Sequence, residues 1–201
     1  MSVTLTGVGH RFGNGPWLFR EVATALDPGH VYALTGPSGS GKSTMLGLLA
    51  GWMEPSEGTV GRAAGLRIGW VPQNPHGVAR RTVIDHVELP LLAAGAAADK
   101  AYDEAMELLE RFQIPHLAAQ QFRSISGGEA QRLMLARGIA AKPGLLLVDE
   151  PTAQLDRRTA ATVDAVIGRL AESGTVVVVA THDAQTRDGC TDVLNLEDWA
   201  A

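Results

Sequence analysis

The chain has 201 residues, 45% of them hydrophobic and 19% charged, with a formal net charge of −5. That length suits one domain with small appendages, and the balance of apolar and charged residues excludes both a disordered chain and a bundle of membrane-spanning helices. An acidic balance with no Lys/Arg stripe lacks the electrostatic footprint of a duplex-binding surface, so no nucleic acid partner is expected. No apolar run reaches the roughly 18 residues that cross a bilayer. The first six residues lack the basic-then-apolar layout of a secretory signal, and a lone Cys190 cannot form an internal disulfide. The expected location is therefore the cytoplasm.

Apolar and β-branched runs bounded by glycine, proline or acidic residues predict strands at 3–8, 31–35, 66–71, 145–148, 175–180 and 193–196. Helical periodicity falls between them. Met45, Leu46, Leu48 and Leu49 open one helix, and Ala101, Ala105, Leu108, Leu109 and Phe112 repeat at helix spacing against an acidic face. Leu133, Ala136 and Ala140 mark another, and Ala160, Val163, Val166, Ile167 and Leu170 a fourth. Strands alternating with helices predict an α/β core with a mostly parallel sheet. From about 73 to 123 the strand signals fade, and Pro75, Pro90 and Pro115 punctuate a stretch that reads as a helical insertion. The alanine-rich run 93–98 in its middle reads as a surface connection.

Gly36-Pro37-Ser38-Gly39-Ser40-Gly41-Lys42-Ser43-Thr44 lies between a predicted strand and a predicted helix, the context that a phosphate-binding loop requires. Its glycines let backbone N–H groups converge on phosphates, and the helix N-terminus adds its positive end. Lys42 is one of only three lysines and stands where it reaches the β- and γ-phosphates, while Ser43 can ligate Mg²⁺. Further on, Leu145-Leu146-Leu147-Val148 ends in Asp149-Glu150, two carboxylates that burial would penalise without a cation or proton. Alternation along an extended strand sends them opposite ways, Asp149 to the metal and Glu150 to an attacking water. Taken alone, the pair would also serve as a helix cap.

These residues define a nucleoside-triphosphate hydrolase. Ser124-Ile125-Ser126-Gly127-Gly128-Glu129-Ala130-Gln131-Arg132 narrows it, because the string closely resembles the signature motif of ABC-type ATPases. A serine and two glycines opening a helix form a second anion-binding device.

The resemblance runs from Val3 to Leu196. It implies a P-loop core at 1–74 and 141–201 with an antiparallel β region at the N-terminus, and a helical subdomain at about 75–140, within a single ABC ATPase domain. It assigns Gln73 to the Q-loop, near Mg²⁺ and the attacking water, and His182 to the switch that contacts the γ-phosphate. Asp156 falls in the D-loop that lines the dimer contact, and Phe12 fits the adenine-stacking position better than Trp17 or Phe19. Ile125, Glu129 and Ala153 depart from the family's usual leucine, glutamine and serine, and the last removes a serine-mediated contact across the interface.

The implied cofactors are ATP and Mg²⁺. The implied partners are a transmembrane permease subunit and a second ABC ATPase subunit, forming a homodimer with ATP bound. One copy would hold ATP through Lys42, Ser43, Thr44 and the loop glycines, and the other through Ser126 and Gly128. The chain would lie on the cytoplasmic face of the membrane through its partner. Val87-Glu88-Leu89-Pro90-Leu91-Leu92 would line or flank the permease groove and is similar to the segment in subunits of lipoprotein-release, macrolide-efflux and cell-division type. A soluble ATPase of a cytosolic assembly machine and an ATP-dependent scaffold of a membrane complex are the competing readings.

Overall fold

The computed structural model describes residues 2–200. In chain order the elements are β1 (Val3–Arg11), β2 (Trp17–Leu26), β3 (Val31–Thr35), α1 (Lys42–Ala50), β4 (Glu57–Arg62), β5 (Ile68–Val71), α2 (Val83–Ala93) and α3 (Ala98–Arg111). They continue with α4 (Gly127–Ala140), β6 (Leu145–Asp149), α5 (Arg157–Glu172), β7 (Val176–Ala180), α6 (Ala184–Asp188) and β8 (Asp192–Asn195). Three antiparallel strands form one sheet in the order β2-β1-β4, and five parallel strands form the other in the order β5-β6-β7-β3-β8. This is the expected P-loop core with a mostly parallel sheet and an antiparallel N-terminal region.

The sequence runs missed β2 and β4. The latter, Glu-Gly-Thr-Val-Gly-Arg, has no alternating apolar residues, and its order comes from pairing with β1 and from the Arg20–Glu57 ion pair at 2.8 Å. Pro90, one of the prolines that punctuate this stretch, lies inside α2, and the 93–98 run joins α2 to α3 at the surface.

The parallel strands are buried on both faces, and their period of two divides the core. Leu145, Leu147, Val176, Val178 and Ala180 face α1 and the antiparallel sheet, where they meet Val3, Leu5, Phe19, Leu46 and Leu49. Leu146, Val148, Val177 and Val179 face the other way, toward Val83, Val87, Leu109, Leu133 and Val163 of the helices. Shifting either strand by one residue would exchange its two sets of contacts, so the register that aligns Val148 with Val71 and Val179 is strongly specified. That register brings the carboxyl ends of β5, β6, β7 and β3 level at one edge, the edge at which open α/β sheets bind ligands.

Candidate functional site

The loop after β3 is shaped by glycines whose backbones exclude other residues. Gly36 and Gly41 have φ of +142° and +97°, and a Cβ on Gly36 would lie 2.6 Å from Ser40 Oγ. A Cβ on Gly41 would lie 2.9 Å from the Phe19 ring. Gly39 is also left-handed, and Ser40 N donates to Pro37 O at 3.2 Å. Gly41 caps α1 without a side-chain acceptor, leaving the first-turn N–H groups for a ligand. Lys42 Nζ donates to Gly36 O at 2.8 Å and to Pro37 O at 3.2 Å, which folds the ammonium back over the loop. Ser38 is exposed and Thr44 is half-buried in the first turn of α1.

From β6, Asp149 accepts a hydrogen bond from Ser43 Oγ at 2.9 Å. Burial pushes the Asp149 carboxyl above the usual carboxylate range, opposed by the Ser43 bond and then reinforced by Glu150. A cation at this point would reverse that shift. Glu150 is not the next residue of an extended strand, contrary to expectation. Its φ is +49°, and its N–H donates to Ala180 O at 2.9 Å, so a backbone reversal rather than strand alternation separates the two carboxylates. Left-handed backbone in a non-glycine residue is costly and clusters at functional sites.

His182 follows β7, and its Nδ1 lies 2.7 Å from Glu150 Oε1. A carboxylate only accepts, so Nδ1 carries the proton of this bond. Glu150 Oε2 is buried without a hydrogen-bond partner among the described residues. Gln73 lies exposed two residues past β5, and no hydrogen bond of its side chain is found among the described residues.

Ser126 forms a capping box on α4: its Oγ accepts from Glu129 N at 3.4 Å, and Glu129 Oε2 accepts from Ser126 N and Oγ, each at 2.7 Å. These bonds hold the Glu129 carboxyl below its ordinary range. The substituted glutamate thus retains the capping geometry. A Cβ on Gly127 would lie 2.7 Å from Gln154 Oε1, and one on Gly128 would lie 3.3 Å from Gln154 O, so this pair sits against the loop that precedes α5. Sequence reasoning missed that contact, which no local pattern signals. Asp156 is the N-cap of α5, accepting from Arg158 N and Thr159 N at 3.0 Å each and from Thr159 Oγ1 at 2.7 Å.

Of the three aromatic candidates, Phe19 is fully buried, and the Trp17 ring is already engaged by the guanidinium groups of Arg11 and Arg20 at 4.6 and 4.5 Å. Phe12, 63% exposed, alone offers an open ring. No cluster of three or more His, Cys, Asp or Glu residues suited to a metal occurs among the described residues. Ser43 with Asp149 suits Mg²⁺ instead, an ion that takes one or two protein ligands and completes its shell with phosphate oxygens and water.

A glycine loop, a lysine, a serine–aspartate pair and a glutamate–histidine pair at one sheet edge define a P-loop nucleotide hydrolase. The family model for ABC transporters matches residues 19–153, and the chain belongs to that family. It is 35% identical over 199 residues to the lipoprotein-releasing system ATP-binding protein LolD 1 of Rhodopirellula baltica, covering 91% of this chain and 87% of the relative. It is also 35% identical over 182 residues to the zinc import ATP-binding protein ZnuC of Brucella suis, covering 90% of this chain and 59% of that protein. Among solved structures, the dimeric post-hydrolysis ATP-binding cassette MJ0796 bound to ADP and Pi matches with a TM-score of 0.86 at 28% identity. That match covers 96% of this chain and 94% of the cassette. An inward-facing metal-chelate type ABC transporter matches with a TM-score of 0.82 at 30% identity, covering 97% and 79%. The chain is accordingly an ATP-hydrolysing ABC subunit that dimerises with a second nucleotide-binding domain and couples to a membrane permease.

Proposed function

We propose that the chain forms a head-to-tail homodimer in which each ATP is held by the loop 36–44 of one copy and by Ser126, Gly127 and Gly128 of the other. Lys42 and the loop N–H groups bind the phosphates, with the Lys42 ammonium leaving its two carbonyl acceptors for the β- and γ-oxygens. Phe12 stacks on adenine, and Asp156 orders the loop at the dimer contact through its cap on α5. Ser43, Asp149 and, through its side-chain amide, Gln73 would hold Mg²⁺, which supplies neutralisation of the charge on the phosphates.

The observation that carries the hydrolytic part of this reading is the state of Glu150. Oε1 is held by His182, and Oε2 has no hydrogen-bond partner among the described residues, so Oε2 keeps its acceptor capacity for an attacking water, which would have to enter as the buried oxygen is uncovered in the nucleotide-bound dimer. With Nδ1 fixed on Glu150, the exposed imidazole has Nε2 left, and a contact with the γ-phosphate, whose oxygens only accept, needs an N–H on Nε2 as well.

The permease would seat a cytosolic helix in the groove lined by Trp52, Trp70, Pro72, His76, Pro90 and Met134. Trp52 is two-thirds exposed beside Trp70, with ring centroids 4.4 Å apart, a large exposed apolar surface that supports docking of a partner here. Of the segment 87–92, Val87 and Leu91 are core, while Leu89 and Leu92 are exposed and Pro90 lines the groove. The complex would lie on the cytoplasmic face of the membrane. Within the chain, residues 75–140 act as the helical unit that carries the signature toward the opposite nucleotide.

Size-exclusion chromatography with light scattering tests the dimer. Glu150→Gln should be monomeric alone and dimeric with ATP, and a protein that stays monomeric at saturating ATP and Mg²⁺ would overturn the proposal.

A further inference from the structure

His10 is a buried histidine, 7% exposed, whose ring nitrogens Nδ1 and Nε2 find no hydrogen-bond partner among the described residues. Two unsatisfied ring nitrogens are uncommon in a folded protein, so it is the ring's packing rather than its hydrogen bonding that places this side chain. The ring's neighbours suggest a function. His10 is next to last in β1 and pairs across the sheet with Phe19 of β2. Phe19 in turn packs under Gly41, at the start of the phosphate-loop helix. On the other side the His10 ring meets Phe12 edge to face, with centroids 5.0 Å apart and planes at 84°.

We propose that His10 is a positioning residue for adenine: its imidazole fixes the plane of the Phe12 ring so that the open face of Phe12 meets the base. This rests on the reading of Phe12 as the adenine-stacking residue. Phe12 needs such a support. It follows the last residue of β1 and precedes Gly13 at φ +56°, and its carbonyl accepts a turn bond from Gly15 N at 3.0 Å. Its backbone therefore sits in a tight turn, while its exposed side chain makes its one ring–ring contact among the described residues with His10. An edge-to-face neighbour restricts ring orientation, which lowers the ordering that a stacking base would otherwise have to impose. Through Phe19, the same strand pair sets the distance between the base and the phosphate loop.

The test measures, for the full-length chain, hydrolysis kinetics with ATP and displacement of a fluorescent ATP analogue by tripolyphosphate, which has the phosphates and no base. His10→Leu, which keeps bulk and removes the ring, should raise the ATP concentration for half-maximal activity about 3- to 10-fold, the range of one aromatic pair. Its kcat and its tripolyphosphate affinity should stay at wild-type values. His10→Phe should restore ATP affinity, and thermal melts of both variants check that the β region is intact. Adding His10→Leu to Phe12→Ala should cost nothing further, since the ring it positions is gone.

Wild-type ATP dependence in His10→Leu, equal losses for ATP and tripolyphosphate, or additive losses in the double variant would each overturn the proposal. If Phe12→Ala itself left ATP affinity unchanged, the stacking reading and the proposal would fall together. If Phe12→Ala weakened ATP binding and His10→Leu did not, only the role of His10 would fall.

Discussion

Glu150 carries one bonded and one unbonded carboxylate oxygen, and this asymmetry predicts how its variants behave. Glu150→Gln keeps the side-chain shape but removes the basic oxygen, so hydrolysis should fall by about 10²- to 10⁴-fold, the range typical of losing a general base. ATP binding should persist, because the phosphate contacts belong to the loop 36–44 and to Lys42. Lys42→Ala should weaken ATP binding itself. Single-turnover hydrolysis and equilibrium nucleotide binding separate the two, and near wild-type turnover in Glu150→Gln would remove Glu150 from the mechanism. The Asp149-Glu150 pair is visible in the sequence as two carboxylates ending an apolar strand, but its geometry is not. The φ of +49° at Glu150 and the 2.7 Å bond to His182 come from a neighbouring strand end 30 residues away in the chain, which no local pattern encodes.

Elements, not single residues, hold the Glu150 and His182 loops together. Thr152, two residues past Glu150, and Thr186 of α6 share a buried hydrogen bond of 3.0 Å between their hydroxyls. Asp183, the residue after His182, caps α6 by accepting from Thr186 N at 2.8 Å. Asp164 of α5 faces this cluster. Burial, followed by a Thr186 hydrogen bond acting in the opposite sense and by repulsion from Asp183, pushes its carboxyl up to about 6.

An unfolded aspartate ionises near 3.9. The folded state therefore retains this proton in a range where the unfolded state has lost it, and the cost of burying the charge is fully present above the folded value. That cost fades as pH falls from about 6 toward 4. Asp164→Asn should thus stabilise the fold at pH 7.5 by about 1–2 kcal/mol, after discounting for partial exposure, and by little at pH 4. Urea melts of the two proteins at both pH values check this, and equal differences at the two would show that the charge is irrelevant. Most elements were legible because strands buried on both faces are continuous apolar runs, as in Val176–Ala180. β4 was not, because an edge strand of Glu, Gly, Thr, Val, Gly and Arg carries no such run and is ordered by its partners.

For the whole molecule the question is how two anion-binding devices in one chain share their ligands. The loop 36–44 opens α1 beside β3, while Ser126 to Gly128 open α4 and pack against Gln154 and Leu155. No hydrogen bond joins the two devices among the described residues. In a two-fold dimer each would serve a different ATP, and complementation tests this directly. Lys42→Ala and Ser126→Arg should each be inactive alone, since every composite site of either homodimer carries one lesion. Arginine at position 126 would also displace the capping box that Glu129 completes. In a mixed dimer one site collects both lesions and the other none. Equal mixing with free exchange makes about half the dimers mixed, and half of their sites intact, so activity should return to about a quarter of wild type if sites fire independently. Were each ATP enclosed by both motifs of a single chain, every site would keep one lesion and no activity would return. A mixture as inactive as its parents, with subunit exchange demonstrated by fluorescence transfer, would therefore reject independent composite sites. Crosslinking a photoreactive ATP to the signature segment of the opposite subunit would then distinguish obligatory coupling of two composite sites from an arrangement within one chain.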